Sequence, residues 1–371
     1  MKIAFIDVTT TVFVGGIQTA VWQLAMALAD MGHEVTVYGG SGNAVPDFGG
    51  RAITVRTFPF TPRKRFLNLG VRFRKLAERL SFARHARHEV AAANNDWVIL
   101  TKPFDFVWPW LMPKGSKTRF AFMSGGTDFF RGDRWLAKGV DAFVACSHFN
   151  AWQISAHFKR FPGVIYNGVD VEQFQPGLRN AEHRRQLVSG DNEILFAFAG
   201  RVVGWKGMEI AVRALAEPVL RDLAVRLLII GEGDAKPGLA RLAEQLGVAE
   251  RVVFQGAVPH KELPAWYALA DAGVFPSIAD EAFGITIAEA MACGLPVIGS
   301  YIGGIPEVIG NEEVSGLLVP VADCRALAGA MARLATDAEL RMSLGRNARQ
   351  RIEQRFTWRQ SAERLLGNLQ R

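Results

Sequence analysis

Apolar residues fall into short continuous runs, separated by longer stretches in which they recur at helical spacing. The runs at residues 2–7, 33–38, 96–101, 119–123, 142–146 and 163–166 read as buried strands. Residues 17–31, closed by Gly32, read as the helix between the first two. From residue 67 onward Leu69, Phe73, Leu76, Leu80 and Ala83 mark the inward stripe of a further helix. Between 174 and 193 the chain turns polar around Pro176 and Gly177, which reads as a linker. A second alternation follows. Strands are expected at 194–199, 225–230, 252–255, 272–276 and 296–299, and helices at 208–216, 237–246, 263–270 and 283–293. Strand–helix alternation of this kind predicts parallel sheets covered on both faces, in two Rossmann-like α/β lobes.

Composition agrees with two lobes. The 371 residues exceed one ordinary core, and 49% hydrophobic with 21% charged residues is a globular balance. No window approaches the ~18 apolar residues of a membrane span. The N-terminus reads as a strand and lacks the features of a signal peptide. Cys146, Cys293 and Cys324 are far apart and read as reduced thiols of a cytoplasmic protein. Charge changes the picture more. Residues 1–175 hold 21 Lys+Arg against 13 Asp+Glu, net +8, and the remainder holds 22 against 23, net −1. Much of the excess lies in residues 62–88, where Arg63, Lys64, Arg65, Arg72, Arg74, Lys75, Arg79, Arg84 and Arg87 oppose Glu78 alone. The stretch reads either as a solvated helix face or as a surface for an anionic acceptor or membrane. No nucleic-acid-binding module accompanies it.

The candidate chemistry sits mainly in the second lobe. Glu281 precedes an apolar helix and Glu289 lies within it. A carboxylate there can accept both hydroxyls of a ribose, and Glu281 those of a sugar. The helix start, from Phe283 and Gly284 to Ile285 and Thr286, offers unpaired N–H groups to a phosphate. Arg201 and Lys206 flank a glycine loop and suit a diphosphate, although taken alone they also read as exposed charges. Gly15-Gly16 permits close approach of a phosphate or sugar, or is a plain turn. The dinucleotide fingerprint G-x-G-x-x-G is missing after the first strand, which disfavours a dehydrogenase. The chain contains no Asp-x-Asp triplet and no Cys/His cluster, so no metal and no resident cofactor are expected.

Five segments, GGIQTAVWQLAMALADMGHEVTVY, YNGVDVEQFQP, AGRVVGWKGMEIAVRAL, LLIIGEGDAKPGLARLAEQLGVAERVVFQGAV and EAFGITIAEAMACGLPVIGSYIGGIPEVI, together resemble the family 4 glycosyltransferases. The resemblance implies the GT-B fold: an acceptor domain at 1–175 facing a nucleotide-sugar domain at 176–355 across a cleft, with a helix at 356–371 crossing back to the first. It implies a retaining, metal-independent transfer from a nucleotide diphosphate sugar, of UDP or GDP, while the basic stretch points to an envelope glycan or lipid-linked acceptor, such as one in lipopolysaccharide or polysaccharide synthesis. Glu281, Arg201 and Lys206 would carry the chemistry. Gly15 and Gly16 would lie near the donor phosphates, Ile285 and Thr286 would add N–H contacts, Glu289 would hold the ribose, and the backbone at Val258 would meet the base. Many members have a histidine where this chain has Gly125, and Asp128, Lys102 and Asp105 are the candidates to take over part of its role. Two alternatives stay in view: a nucleotide-sugar epimerase or hydrolase of the same GT-B fold, and, because of that departure, a non-catalytic binding subunit. The expected location is cytoplasmic, with peripheral attachment to the inner face of the plasma membrane through residues 62–88.

Overall fold

Seven parallel strands, β1 (Lys2–Ile6), β2 (Glu34–Gly40), β3 (Ile53–Phe58), β4 (Trp97–Leu100), β5 (Arg119–Ser124), β6 (Ala142–Ala145) and β7 (Gly163–Val164), form the first sheet in the order β3-β2-β1-β4-β5-β6-β7. The computed structural model describes residues 1–370 apart from 14, 178, 191, 311 and 312. Six of the seven strands coincide with apolar runs. The seventh, β3, is an edge strand whose half-buried residues alternate with exposed Thr54 and Arg56, so no run announces it. Alternate residues of β1 serve opposite faces. Ile3 and Phe5 meet Val21, Leu24 and Leu28 of helix α1 (Gly16–Asp30), together with Leu365 and Leu369 of the C-terminal helix Trp358–Leu369. Ala4 and Ile6 meet Phe82, Ala86 and Val90 of helix α2 (Val71–Ala92).

Helix α2 corrects the sequence reading. Leu69, Phe73 and Leu80 are exposed, and the helix turns Glu78, Arg79, Phe82, Ala83, Ala86 and Val90 inward. Both sets recur at helical spacing. The phase is decided by small alanines, which let the helix lie close to the sheet, and by two buried charges that find partners. Glu78 accepts a hydrogen bond from the Arg63 backbone N–H at 2.8 Å, and Arg79 is ion-paired to Asp7 and Asp105. Arg79 therefore does not belong to the surface patch.

The second sheet has the order β10-β9-β8-β11-β12-β13, again all parallel: β8 (Ile194–Ala199), β9 (Val225–Ile230), β10 (Val252–Gly256), β11 (Ala272–Phe275), β12 (Val297–Ser300) and β13 (Leu317–Val319). The helices Cys324–Thr336 and Ala338–Arg355 were not read from the sequence. Asp323 caps the first by accepting from the N–H groups of Arg325 and Ala326, and Asp337 caps the second through Leu340.

The chain forms two compact units, Met1–Gly168 with Trp358–Arg371, and Val169–Thr357. The crossings thus lie at 168/169 and 357/358, rather than after residues 175 and 355. The polar stretch 174–193, expected as a linker, is tied into the second unit. It forms the helix Ala181–Leu187, and Arg184 is buried with its guanidinium on the Glu193 carbonyl (2.7 Å) and Asp271 (2.8 Å). The two ends of the second unit lie side by side, since the Val169 N–H donates to the Phe356 carbonyl at 2.7 Å and Val169 pairs in parallel with Thr357. No described helix is long and apolar enough to cross a membrane.

Candidate active site

Strand order places a crevice in the second unit. Strands β8 and β11 are parallel neighbours, but the chain proceeds from β8 toward β9 on one side and from β11 toward β12 on the other. Loops diverging from the C-terminal ends of such a pair leave a ligand site between them. The loop after β8 carries Arg201 and Lys206, and the loop after β11 carries Glu281. They are laced together by backbone: Ile278 N–H donates to the Trp205 carbonyl at 2.9 Å. Gly207 has φ +71°, and a Cβ there would lie 1.8 Å from the Pro276 carbonyl oxygen, so only glycine fits.

This lacing brings Lys206 and Glu281 into a salt bridge, with side chains only 15% and 17% exposed. The Lys206 ammonium also lies 4.4 Å from the centroid of the Trp205 ring. The exposed Arg201 guanidinium stands 5.9 Å from the same ring and has no carboxylate partner among the described residues. Glu281 is fixed from behind, because its carbonyl accepts from Gly304 N–H at 2.7 Å. A lysine held at a carboxylate and a second cation left unpaired can together receive a diphosphate.

The helix Ile285–Ala292 follows at once. Gly284, at φ +96°, starts it, and no side chain caps its first turn. Its N–H dipoles are therefore free of a side-chain acceptor. The Phe283 ring is fully buried, 5.7 Å from the ring of Phe356. Glu289 is buried, like Ile287, Ala288, Ala290 and Met291 of the same helix. Its Oε1 accepts from the ring of His260, Nε2···Oε1 2.7 Å, while its Oε2 has no hydrogen-bond partner among the described residues. Burial pushes the Glu289 carboxyl above its ordinary value, against the opposing hydrogen bond from His260. That same hydrogen bond raises the imidazole of His260, against the effect of its burial. Tyr267 donates to the Thr286 carbonyl at 3.0 Å and anchors the first turn.

His260 was not singled out in the sequence. It lies just beyond Val258, in the loop after β10, and Glu289 is far along the chain on another element. The lone signal was a titratable ring next to the expected base contact.

In the first unit the corresponding strand pair is β1 and β4. Gly15 is extended (φ −169°, ψ 172°), and α1 begins at Gly16 with no side-chain cap. Asp128 is ion-paired to Lys75 at 2.6 Å. Gly125 occupies a filled site: a Cβ there would lie 2.8 Å from Cγ1 and 2.9 Å from Cδ1 of Ile17, so the ring expected at that position is replaced by an aliphatic chain arriving from α1. Behind these residues lies a buried charge cluster the sequence did not reveal. Arg79 bridges Asp7 and Asp105, and Thr101 donates to Asp7 at 2.6 Å. Burial pushes Asp105 up to about 6. Burial would also raise Asp7, but Arg79, Thr101 and Thr9 hold it below its ordinary value.

Two family models divide the chain between them. "Glycosyltransferase Family 4" matches residues 14–173, and "Glycosyl transferases group 1" matches residues 179–351. The chain belongs to the family 4 glycosyltransferases. A D-inositol 3-phosphate glycosyltransferase of Saccharomonospora viridis is 34% identical over 247 residues, a match covering 63% of this chain and 56% of the relative, so it spans little more than half the relative's length. Among solved structures, the sucrose-phosphate synthase of Thermosynechococcus elongatus superposes with a TM-score of 0.79 at 24% identity, covering 98% of this chain and 97% of that one. Anabaena HepE, solved in complex with UDP and glucose, gives 0.77 at 23% identity, covering 100% and 99%. The fold of this glycosyltransferase chain is thus the two-lobed α/β GT-B architecture. Among its described residues no group of three or more His, Cys, Asp or Glu side chains could hold a metal ion.

Proposed function

We propose that this family 4 chain transfers a sugar, with retention, from a UDP or GDP sugar to an envelope glycan or lipid-linked acceptor. The observation that carries the donor reading is the buried, unpartnered Oε2 of Glu289, one helical turn beyond the start of Ile285–Ala292. An unsatisfied buried oxygen costs roughly 1–3 kcal/mol, and a ribose hydroxyl donating to it removes that cost. The diphosphate then falls to Arg201, Lys206 and the N–H groups of Ile285 and Thr286, with the base at the Val258 backbone. Charge developing on the leaving diphosphate is met by these cations and dipoles without a metal. The anomeric C–O bond to the diphosphate breaks as the acceptor oxygen bonds to the same face, and the hydroxyl proton passes to a leaving phosphate oxygen. That HepE was solved with UDP and glucose on a similar fold supports this choice of donor class. Calorimetric titration with UDP and GDP tests it. Wild-type protein is expected to bind one of them, and Glu289→Ala to bind it about thirtyfold more weakly, which is roughly 2 kcal/mol. Unchanged affinity in the variant would remove Glu289 from the donor site.

The membrane part of the proposal rests on residues 63–73. Leu67 (77% exposed), Leu69 (67%), Val71 and Phe73 present large apolar surface beside Arg63, Lys64, Arg65 and Arg72. The side chains of those four cations have no ion pair among the described residues. Apolar side chains that dip below the headgroups and cations that stay among them suit an anionic leaflet. Arg63→Ala/Arg65→Ala is expected to weaken binding to phosphatidylglycerol vesicles roughly thirtyfold, at about 1 kcal/mol per charge. Vesicle binding that is indifferent to both salt and this pair of changes would defeat the reading.

A further inference from the structure

The ring that occupies Glu289 is itself held in place. Arg349 donates to the carbonyls of Phe174 (2.6 Å), Val171 (3.1 Å) and Ala292 (2.8 Å), fixing segment 171–174 against the end of the Ile285–Ala292 helix. The Phe174 ring in turn backs the His260 ring, centroids 5.1 Å apart, and Gln173 donates to the His260 carbonyl at 3.4 Å. His260 therefore stands between a clamped phenylalanine and a buried carboxylate.

We propose that His260 is a positioning residue of the donor site: by holding Oε1 of Glu289 it keeps the carboxylate ionised and turned so that Oε2 receives a ribose hydroxyl. The inference rests on the reading of Glu289 as the ribose acceptor. Its chemistry is specific. Ribose hydroxyls bring protons, and an ionised carboxylate only accepts, whereas a neutral carboxyl must place a proton of its own. A buried carboxylate drifts toward the neutral form unless a donor opposes the drift.

The groups facing the pair support this division of labour. Asp170 adds negative charge near His260 and favours its protonated form. On the other side, Tyr267 and Cys293 face Glu289, and burial pushes both up, the thiol to about 12, so both stay neutral at working pH. Arg349 acts on Cys293, and Lys261 and Glu262 are the charged neighbours of His260 on its own segment. Among these, the side chain with a hydrogen bond to the Glu289 carboxylate is His260.

The test uses the full chain and whichever of UDP and GDP binds, alongside its 2′-deoxy and 3′-deoxy forms, titrated by calorimetry at pH 6, 7 and 8. With His260→Ala the ribonucleotide is expected to bind about tenfold more weakly at pH 6 and to recover toward wild type at pH 8, as Glu289 regains its charge. The deoxy form lacking the contacted hydroxyl should be indifferent to the change. In kinetics the loss should appear in the donor KM, with kcat at saturating donor within about twofold. His260→Gln, whose amide still donates to the carboxylate, should recover part of the loss at pH 6 and match wild type at pH 8. Equal weakening of ribo and deoxy ligands, or a loss independent of pH, would make His260 a packing residue and overturn the proposal. If Glu289→Ala weakens ribo and deoxy ligands equally, the ribose reading itself falls. If Glu289→Ala weakens the ribonucleotide but not the deoxy form while His260→Ala changes nothing, only the role of His260 falls.

Discussion

Lys206→Ala is expected to lower kcat/KM by a factor on the order of 10²–10³, the range seen when one charge-stabilising donor is removed from an active site. Two effects add. The ammonium proposed to meet the diphosphate is lost, and Glu281, only 17% exposed, is left as an uncompensated carboxylate beside the proposed diphosphate site. Arg201→Ala should do less, because that side chain is exposed and releases no buried partner. Steady-state kinetics on Lys206→Ala, Glu281→Gln and the double variant separate the two effects. If unpaired charge matters, the double variant recovers part of what Lys206→Ala loses. Activity within about threefold of wild type in Lys206→Ala would remove the pair from the chemistry.

Gly207→Ala should destabilise the second unit by more than about 3 kcal/mol. A left-handed backbone costs an L-residue roughly 1–2 kcal/mol, and here the added methyl would lie 1.8 Å from the Pro276 carbonyl oxygen. The backbone must open, and the hydrogen bond from Ile278 to Trp205 opens with it. Because the same loop carries Lys206, activity should fall even at temperatures where the variant stays folded. Gly238→Ala is the control. It lies in the helix Lys236–Gln245 with nothing within 4 Å of an added Cβ, so it should be neutral or stabilising by up to about 1 kcal/mol. Urea denaturation of the two variants checks the contrast, and equal midpoints for them would contradict it.

The central strands were legible because parallel strands buried on both faces leave unbroken apolar runs, as in LLII of β9 or FAFA of β8. Edge strands β3 and β13 carry less of that signal, one alternating with exposed residues and the other three residues long. Helix α2 was legible as a helix but not in phase. Leu69, Phe73 and Leu80 make as good a stripe as Phe82, Ala86 and Val90, and partners distant in sequence, Asp7 and Asp105, decide between them. At the candidate site, Arg201, Lys206, Glu281 and Glu289 could be named from residue type and spacing. What spacing could not reveal was pairing: that Lys206 meets Glu281, and that His260 occupies half of Glu289. Nor could it show that the bare Gly125 accommodates the Ile17 side chain.

The hydrogen bond between Val169 and Phe356 has a consequence for the gene as much as for the protein. The coding sequence of the first unit is interrupted at Gly168 and resumes at Trp358, and the interruption encodes a body whose first and last residues touch. Excision at those two junctions would leave every strand of its sheet with its neighbours, and joining the touching ends would ask little of the backbone, so the second unit is the natural piece to transplant whole.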